Sequence, residues 1–453
     1  MSGPLRLLPG DGDTLPALPR PRARTRRRPS WAEDPIDELA ERLVEQVATA
    51  VHPYEVAALL ESDGLTGDQI SERYGRPDLF TLAGDLYARV PRHYPEPPPA
   101  PDPWRPDHLR CALRGLVFAL PGLAYVLGAG LWHGRADLSG LIASALAAWA
   151  WNQGLSHRAY LRLAAEGRAA AGRTLRIGAP AGALGAAATG LAVSGPGTSA
   201  AFAAGQSCYL AAASVLLVFG RERALLLTLV PVAAGAGAVQ VWQLPIALVL
   251  GLLLATVLLA VLAAAHAIRA AVGSEPTAAG TTPPLLRSLP YGLFGLAAGV
   301  LAALAGAEDP RSVVVLTLSM GFAEWLLYRY RSLALTALRE STTGRGFVLR
   351  SGRALAYCLG AYLTVLGAGA LLAGTSPAAL LALGALLWTA LLLQAFSLAW
   401  VPAALTLATA VAEAAAPFAG IPSGPAQLIF RTAAASVLVA AACRLLGRPT
   451  PHR

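Results

Sequence analysis

The side chains in this chain that can do chemistry are few, and most stand in apolar surroundings. Glu324 lies in "SMGFAEWLLY", a single carboxylate among aliphatic and aromatic residues. A charge at that depth in an apolar helix is costly, so it marks a proton or cation site or a bond to a neighbouring helix. Arg114 and Arg287 each open an apolar stretch and are each followed by "GLA", at Gly122–Ala124 and Gly295–Ala297. Guanidinium groups at such positions bind phosphate oxygens bidentately, or they snorkel as anchors at the lipid interface. Asn152 and Gln153 add uncharged donors and acceptors, and with the two arginines they form the candidate binding set. Gln206 and Gln394 are expected to glue helices together, and Glu413 and Arg431 to form a structural ion pair. No Walker loop, dinucleotide fingerprint, Gly-x-Ser-x-Gly elbow or zinc-type spacing is present. Neither a catalytic site nor a metal or other cofactor is therefore expected. Cys111, Cys208, Cys358 and Cys443 fall in apolar stretches and read as packing residues.

The elements that must carry these residues are membrane helices. The chain has 453 residues, of which 55% are hydrophobic and 14% charged, with a mean hydropathy of +0.52. Residues 1–109 are polar, and apolar runs follow. A bilayer needs about 20 apolar residues per helical span. Twelve windows meet that length: 110–132, 137–155, 177–195, 199–219, 224–241, 244–267, 288–307, 311–330, 354–374, 377–395, 397–416 and 427–446. The fold class expected is an all-α polytopic membrane protein of about twelve transmembrane helices. All the basic residues are arginine, so the net charge of +9 reflects composition and topology and gives no reason to expect nucleic acid as a partner. Arg158, Arg162, Arg168, Arg173 and Arg176 follow the second window, and Arg331, Arg339, Arg345, Arg350 and Arg353 follow the eighth. With Arg221, Arg223, Arg269, Arg444 and Arg448 on the same side, the positive-inside rule places both termini in the cytoplasm.

Those two arginine-rich stretches match each other. "WNQGLSHRAYLRLAAEGRAAAGRTLRIG" starts at Trp151 and "WLLYRYRSLALTALRESTTGRGFVLRSG" at Trp325, an offset of 325 − 151 = 174. The matched positions include Trp151/Trp325, Glu166/Glu340, Arg176/Arg350 and Gly178/Gly352. Arg114 and Arg287 pair at 287 − 114 = 173. An offset spanning six helices predicts two parallel repeats, bundles at 110–267 and 288–446, joined by a connector at 268–287. The arginine-rich stretches themselves are expected to be inner loops with short amphipathic helices at the membrane surface. Residues 447–453 form a cytoplasmic tail.

The polar N-terminal part divides again. Residues 1–30 contain "PRPRARTRRRPS" and read as a disordered basic tail. Residues 31–94 read as a small helical cytoplasmic module. Asp34-Pro35 opens a helix carrying Ile36, Leu39, Leu43 and Val47, Gly64 closes the next, and Thr66 and Pro77 begin two more. No recognition helix with interleaved Arg and Asn is visible, so docking or structural support is expected of it. Residues 95–109, with "PEPPPAPDPWRP", form an extended linker.

Twelve windows in two parallel halves, very short outer loops and the basic "AAEGRAAAGRTLRIG" and "RESTTGRGFVLRSG" stretches resemble the multidrug/oligosaccharidyl-lipid/polysaccharide exporter superfamily. The resemblance spans residues 110–446; the module at 31–94 departs from the family's usual pattern. It implies alternating access of a central cleft and transport of a lipid-linked sugar or polysaccharide precursor across the plasma membrane. Arg114 and Arg287 would then hold the substrate's phosphate, Asn152 and Gln153 would line its site, and Glu324 would couple an ion. Membrane lipids and the lipid-linked or polymeric sugar are the implied partners, with cytoplasmic glycosyltransferases docking at 31–94. A major-facilitator transporter shares the 6+6 plan, but its Asp-Arg loop core is missing from "SHRAYLRLAAEGRAAAGR". A membrane glycosyltransferase or assembly subunit would need an acidic catalytic pair, and none stands out.

Overall fold

The computed structural model describes residues 35–94, 102–132, 135–275 and 283–450. The basic tail at 1–30, the capping residue Asp34, the first part of the linker and the middle of the connector lie outside the described residues. Two compact units are present, Met1–Pro101 and Asp102–Arg453. Among the described residues every regular element is helical.

In the first unit the helices are α1 (Pro35–Arg42), α2 (Val44–Val47), α3 (Pro53–Ser62), α4 (Gly67–Tyr74) and α5 (Leu79–Arg89). Ile36, Leu39, Leu43 and Val47 are all buried, and they pack with Leu60, Ile70, Leu82 and Leu86 into one small core. Thr66 and Gln69 make a reciprocal capping box at the start of α4. Asp78, rather than Pro77, caps α5 by accepting a hydrogen bond from the Thr81 N–H at 2.7 Å.

The second unit contains α6 (His108–Ala119), α7 (Leu123–Leu127), α8 (Arg135–Glu166), α9 (Arg168–Ser194), α10 (Thr198–Val218), α11 (Glu222–Thr228), α12 (Val230–Ala238) and α13 (Ile246–Val272). It continues with α14 (Leu289–Glu308), α15 (Pro310–Glu340), α16 (Gly344–Ala373), α17 (Pro377–Ala395), α18 (Trp400–Ala415) and α19 (Ser423–Leu446). Among the described residues, nine helical stretches are long and apolar enough to cross a membrane. That is the character of a multi-pass membrane protein. On α13, whose mean hydropathy reaches 3.0, Leu250, Leu254, Leu258 and Leu262 form an exposed apolar stripe at helical spacing. Such a stripe is suited to lipid as its solvent.

The windows at 137–155 and 311–330 fall on α8 and α15, which are long but carry more polar side chains. The window at 224–241 is split into α11 and α12, because Pro231 cannot continue the ladder of the preceding turn. The arginine-rich stretches are helix rather than loop. Alanine, leucine and arginine are strong helix formers, so α8 runs on to Glu166 before Gly167, at φ +83°, breaks it. The two glutamates aligned between the arginine-rich stretches use different partners: Glu166 pairs with Arg162 in its own helix, and Glu340 with Arg350.

Two separate apolar cores organise the second unit. One, between Val117 and Ala271, is built from α6 to α13, and the other, between Phe294 and Leu446, from α14 to α19. The two bundles meet chiefly along two helix pairs, α6 with α15 and α8 with α14.

Candidate functional site

The α6–α15 seam is narrow because glycine faces glycine. A Cβ built on Gly321 would lie 2.8 Å from the Gly115 Cα, a separation no real side chain tolerates. Helices approach this closely only where both lack a side chain. Beside the contact, Trp325 Nε1 donates to His108 Nδ1 at 3.0 Å. Arg114, one residue before Gly115, donates through Nη1 to Glu324 across the seam.

Arg114 has a second carboxylate. Its Nε donates to Glu222 Oε1 at 3.0 Å, and Arg110 donates to the same oxygen at 3.2 Å. Arg110 and Arg114 stand four residues apart, so they share one face of α6. Glu222 is brought to that face by the turn after α10. Gly220, at φ +67°, takes the left-handed conformation, and Gly220 and Arg221 return hydrogen bonds to Leu217 and Leu216. Glu222 then opens α11, where the helix dipole favours a negative charge. Burial works against the charged carboxyl. Bonds from its own backbone N–H, Arg114 and Arg110 outweigh burial and hold it below the usual carboxylate range. The result is a chain of alternating charge, Arg110–Glu222–Arg114–Glu324, with three members in one bundle and Glu324 in the other.

The α8–α14 seam holds Gln153. A Cβ on Gly292 would lie 3.1 Å from the Ala150 carbonyl oxygen, and one on Gly295 would lie 2.8 Å from Gln153 Cγ. Gln153 therefore packs its aliphatic stem into the seam. Asn152 Oδ1 is buried with no hydrogen-bond partner among the described residues. His157 stacks on Tyr291 at 3.6 Å between ring centroids and meets Ser288 Oγ at 3.1 Å. Arg287, on the turn Leu285–Ser288, is exposed.

The structure thus brings Arg114 and Glu324 together. It places Gln153 and the Arg287 turn at the other seam, and Asn152 on α8 with its Oδ1 buried. Arg110 and Glu222 do not stand out in the sequence as site residues. The one signal for Arg110 is its place four residues before Arg114, whereas Glu222 has no sequence mark beyond its place after a glycine turn. Gln206 bridges helices as expected, donating to Leu141 O at 3.3 Å and Ser144 Oγ at 3.0 Å. Glu413 and Arg431 form the expected ion pair. No protein-family model, curated protein or solved structure matches this chain.

Proposed function

We propose that this protein is a membrane transporter that moves a lipid-linked sugar or polysaccharide precursor across the plasma membrane by alternating access. The observation that supports it is the crossed seam. Two bundles with separate cores touch chiefly along α6–α15 and α8–α14, and polar candidates sit at both contacts. Bundles joined this way can rock apart at one end while staying closed at the other. Arg114 and Arg287 would take the substrate's phosphate at the cytoplasmic mouth, with carboxylates occupying Arg114 in the structure described here. Asn152 and Gln153 would meet sugar hydroxyls, since the unmet Asn152 Oδ1 is an acceptor for one. Both termini would be cytoplasmic, and the first unit would dock cytoplasmic glycosyltransferases.

Reconstitution tests this. Purified protein in vesicles should carry a fluorescent lipid-linked sugar diphosphate from one leaflet to the other. Replacing both arginines by lysine (Arg114→Lys with Arg287→Lys) should slow that transfer at unchanged protein level, because lysine keeps the charge and loses the planar fork. Transfer no faster than in protein-free vesicles overturns the reading.

A further inference from the structure

The two carboxylates that hold Arg114 belong to different bundles, and that difference sets what happens when the α6–α15 seam parts. Glu222 lies in the same bundle as Arg114, so this pair persists as the bundles separate. Glu324 lies in the other bundle, and Arg114 is its ion-pair partner. Parting the seam leaves Arg114 charged and satisfied but strands Glu324. A carboxylate without a partner among aliphatic and aromatic side chains, as around Glu324, is more stable protonated.

We infer that opening of the α6–α15 seam takes up one proton at Glu324, with Glu222 retaining Arg114. In the step, the Arg114 Nη1–H···Oε1 bond breaks and the Glu324 carboxylate gains a proton from water on the opening side. Closure returns that proton to water and re-forms the ion pair. The inference names the coupling ion of the transport proposed above and rests on that reading only for its biological use.

The surroundings of Glu324 favour a proton over a metal cation. From α6, Arg114 bonds to it, Cys111 lies within its electrostatic reach, and His108 meets the adjacent Trp325. From α8, Tyr160 faces Arg114, with Tyr328 of α15 near it. Among the described residues no ion pair reaches Glu324 from α14, α16 or α17, which also pack on α15. A sodium ion would need several oxygen ligands in place of a guanidinium, as hard cations do.

Cys111 is a native reporter of the seam. It is 4% exposed, and its carbonyl oxygen lies 3.1 Å from a Cβ built on Gly321, whereas Cys443 is exposed. The experiment is site-resolved labelling of the full chain in nanodiscs with an organomercurial, reading the Cys111 rate relative to Cys443. Glu324→Gln removes the need for the proton and should raise the ratio by about tenfold or more, a modest fraction of the cost of an unpaired buried charge. Glu222→Gln leaves Glu324 as the last carboxylate on Arg114, so opening strands the guanidinium and the ratio should fall. In the unaltered protein, acidification from about pH 8 to about pH 5, where a carboxylate stranded in an apolar setting takes up its proton, should raise the ratio. Sodium at fixed pH should leave it unchanged. A change of the same sign in both variants, no change in either, or a rise with sodium overturns the inference. The wild-type titration decides alone if a variant fails to fold. None of these readouts requires substrate, so they separate the proton step from the transport reading.

Discussion

Arg431 and Glu413 join neighbouring helices of one bundle, with Nε at 2.9 Å and Nη2 at 2.8 Å from the two carboxylate oxygens and both side chains 1% exposed. Arg114 and Glu324 join the two bundles through a single Nη1 contact, with side chains 16% and 17% exposed, and Arg114 is shared with Glu222. The chemistry is the same, and the placement gives it opposite consequences. The first pair is hydrogen-bonded through two guanidinium nitrogens, sealed from solvent and close in sequence, and among the described residues neither member has an alternative partner. The second is divided across a seam, and one member keeps a partner when the other lets go. An arginine–glutamate pair is a fixture in the first setting and, by the inference above, a switch in the second.

The largest expected effect comes from breaking the fixture. Glu413→Ala leaves Arg431 buried and unpaired, and should cost about 3–5 kcal/mol in unfolding followed by tryptophan fluorescence in detergent. Combining Glu413→Leu with Arg431→Met should recover most of that loss, because the desolvation penalty disappears with both charges. A single variant as stable as the parent would erase the contrast between the pairs.

The next effect sharpens the seam itself. Gly321→Ala inserts a methyl 2.8 Å from the Gly115 Cα and must push α6 from α15, at a cost of about 1–3 kcal/mol. Gly292→Ala meets the Ala150 carbonyl oxygen at 3.1 Å, a tight contact that a slight shift relieves. The first should open Cys111 to labelling and the second should not. Equal labelling in the two would mean that the α6–α15 seam has no special role.

The smallest effect lies just before α6. Trp104 lies under the Arg331 guanidinium at 3.4 Å, and Asp102 fixes its backbone by accepting its N–H at 2.9 Å. Trp104→Ala should lower the stability of the second unit by about 0.5–2 kcal/mol, the range of a cation–π contact. Melting unchanged by this substitution would show that the contact adds nothing.

The helical, membrane-spanning character was legible because it depends on composition and periodicity, which are local. The capping box at Thr66 and Gln69 was half legible for the same reason: Thr66 was picked out, and its partner stands three residues on. The helix ends were not legible where strong helix formers ran past the apolar stretch, as α8 and α15 do. The candidate site was legible only in part. A carboxylate in "SMGFAEWLLY" announces itself, as does an arginine opening an apolar run. The polar head of Gln153 suggests a binding role, yet its stem fills the space that Gly295 leaves.

Which groups meet was beyond the sequence. Local patterns determined that the chain makes apolar helices, that a small capped helical unit precedes them, and that Glu324 needs a partner. The partner lies 210 residues away, and the carboxylate that competes for it lies 108 residues from that arginine. Such contacts come from how helices pack, and packing is set by glycines on facing surfaces and by the turn at Gly220. Neither leaves a periodic signal. Only the tertiary structure decided that Arg114 stands between two carboxylates, because only the assembled bundles bring α6, α11 and α15 to one place.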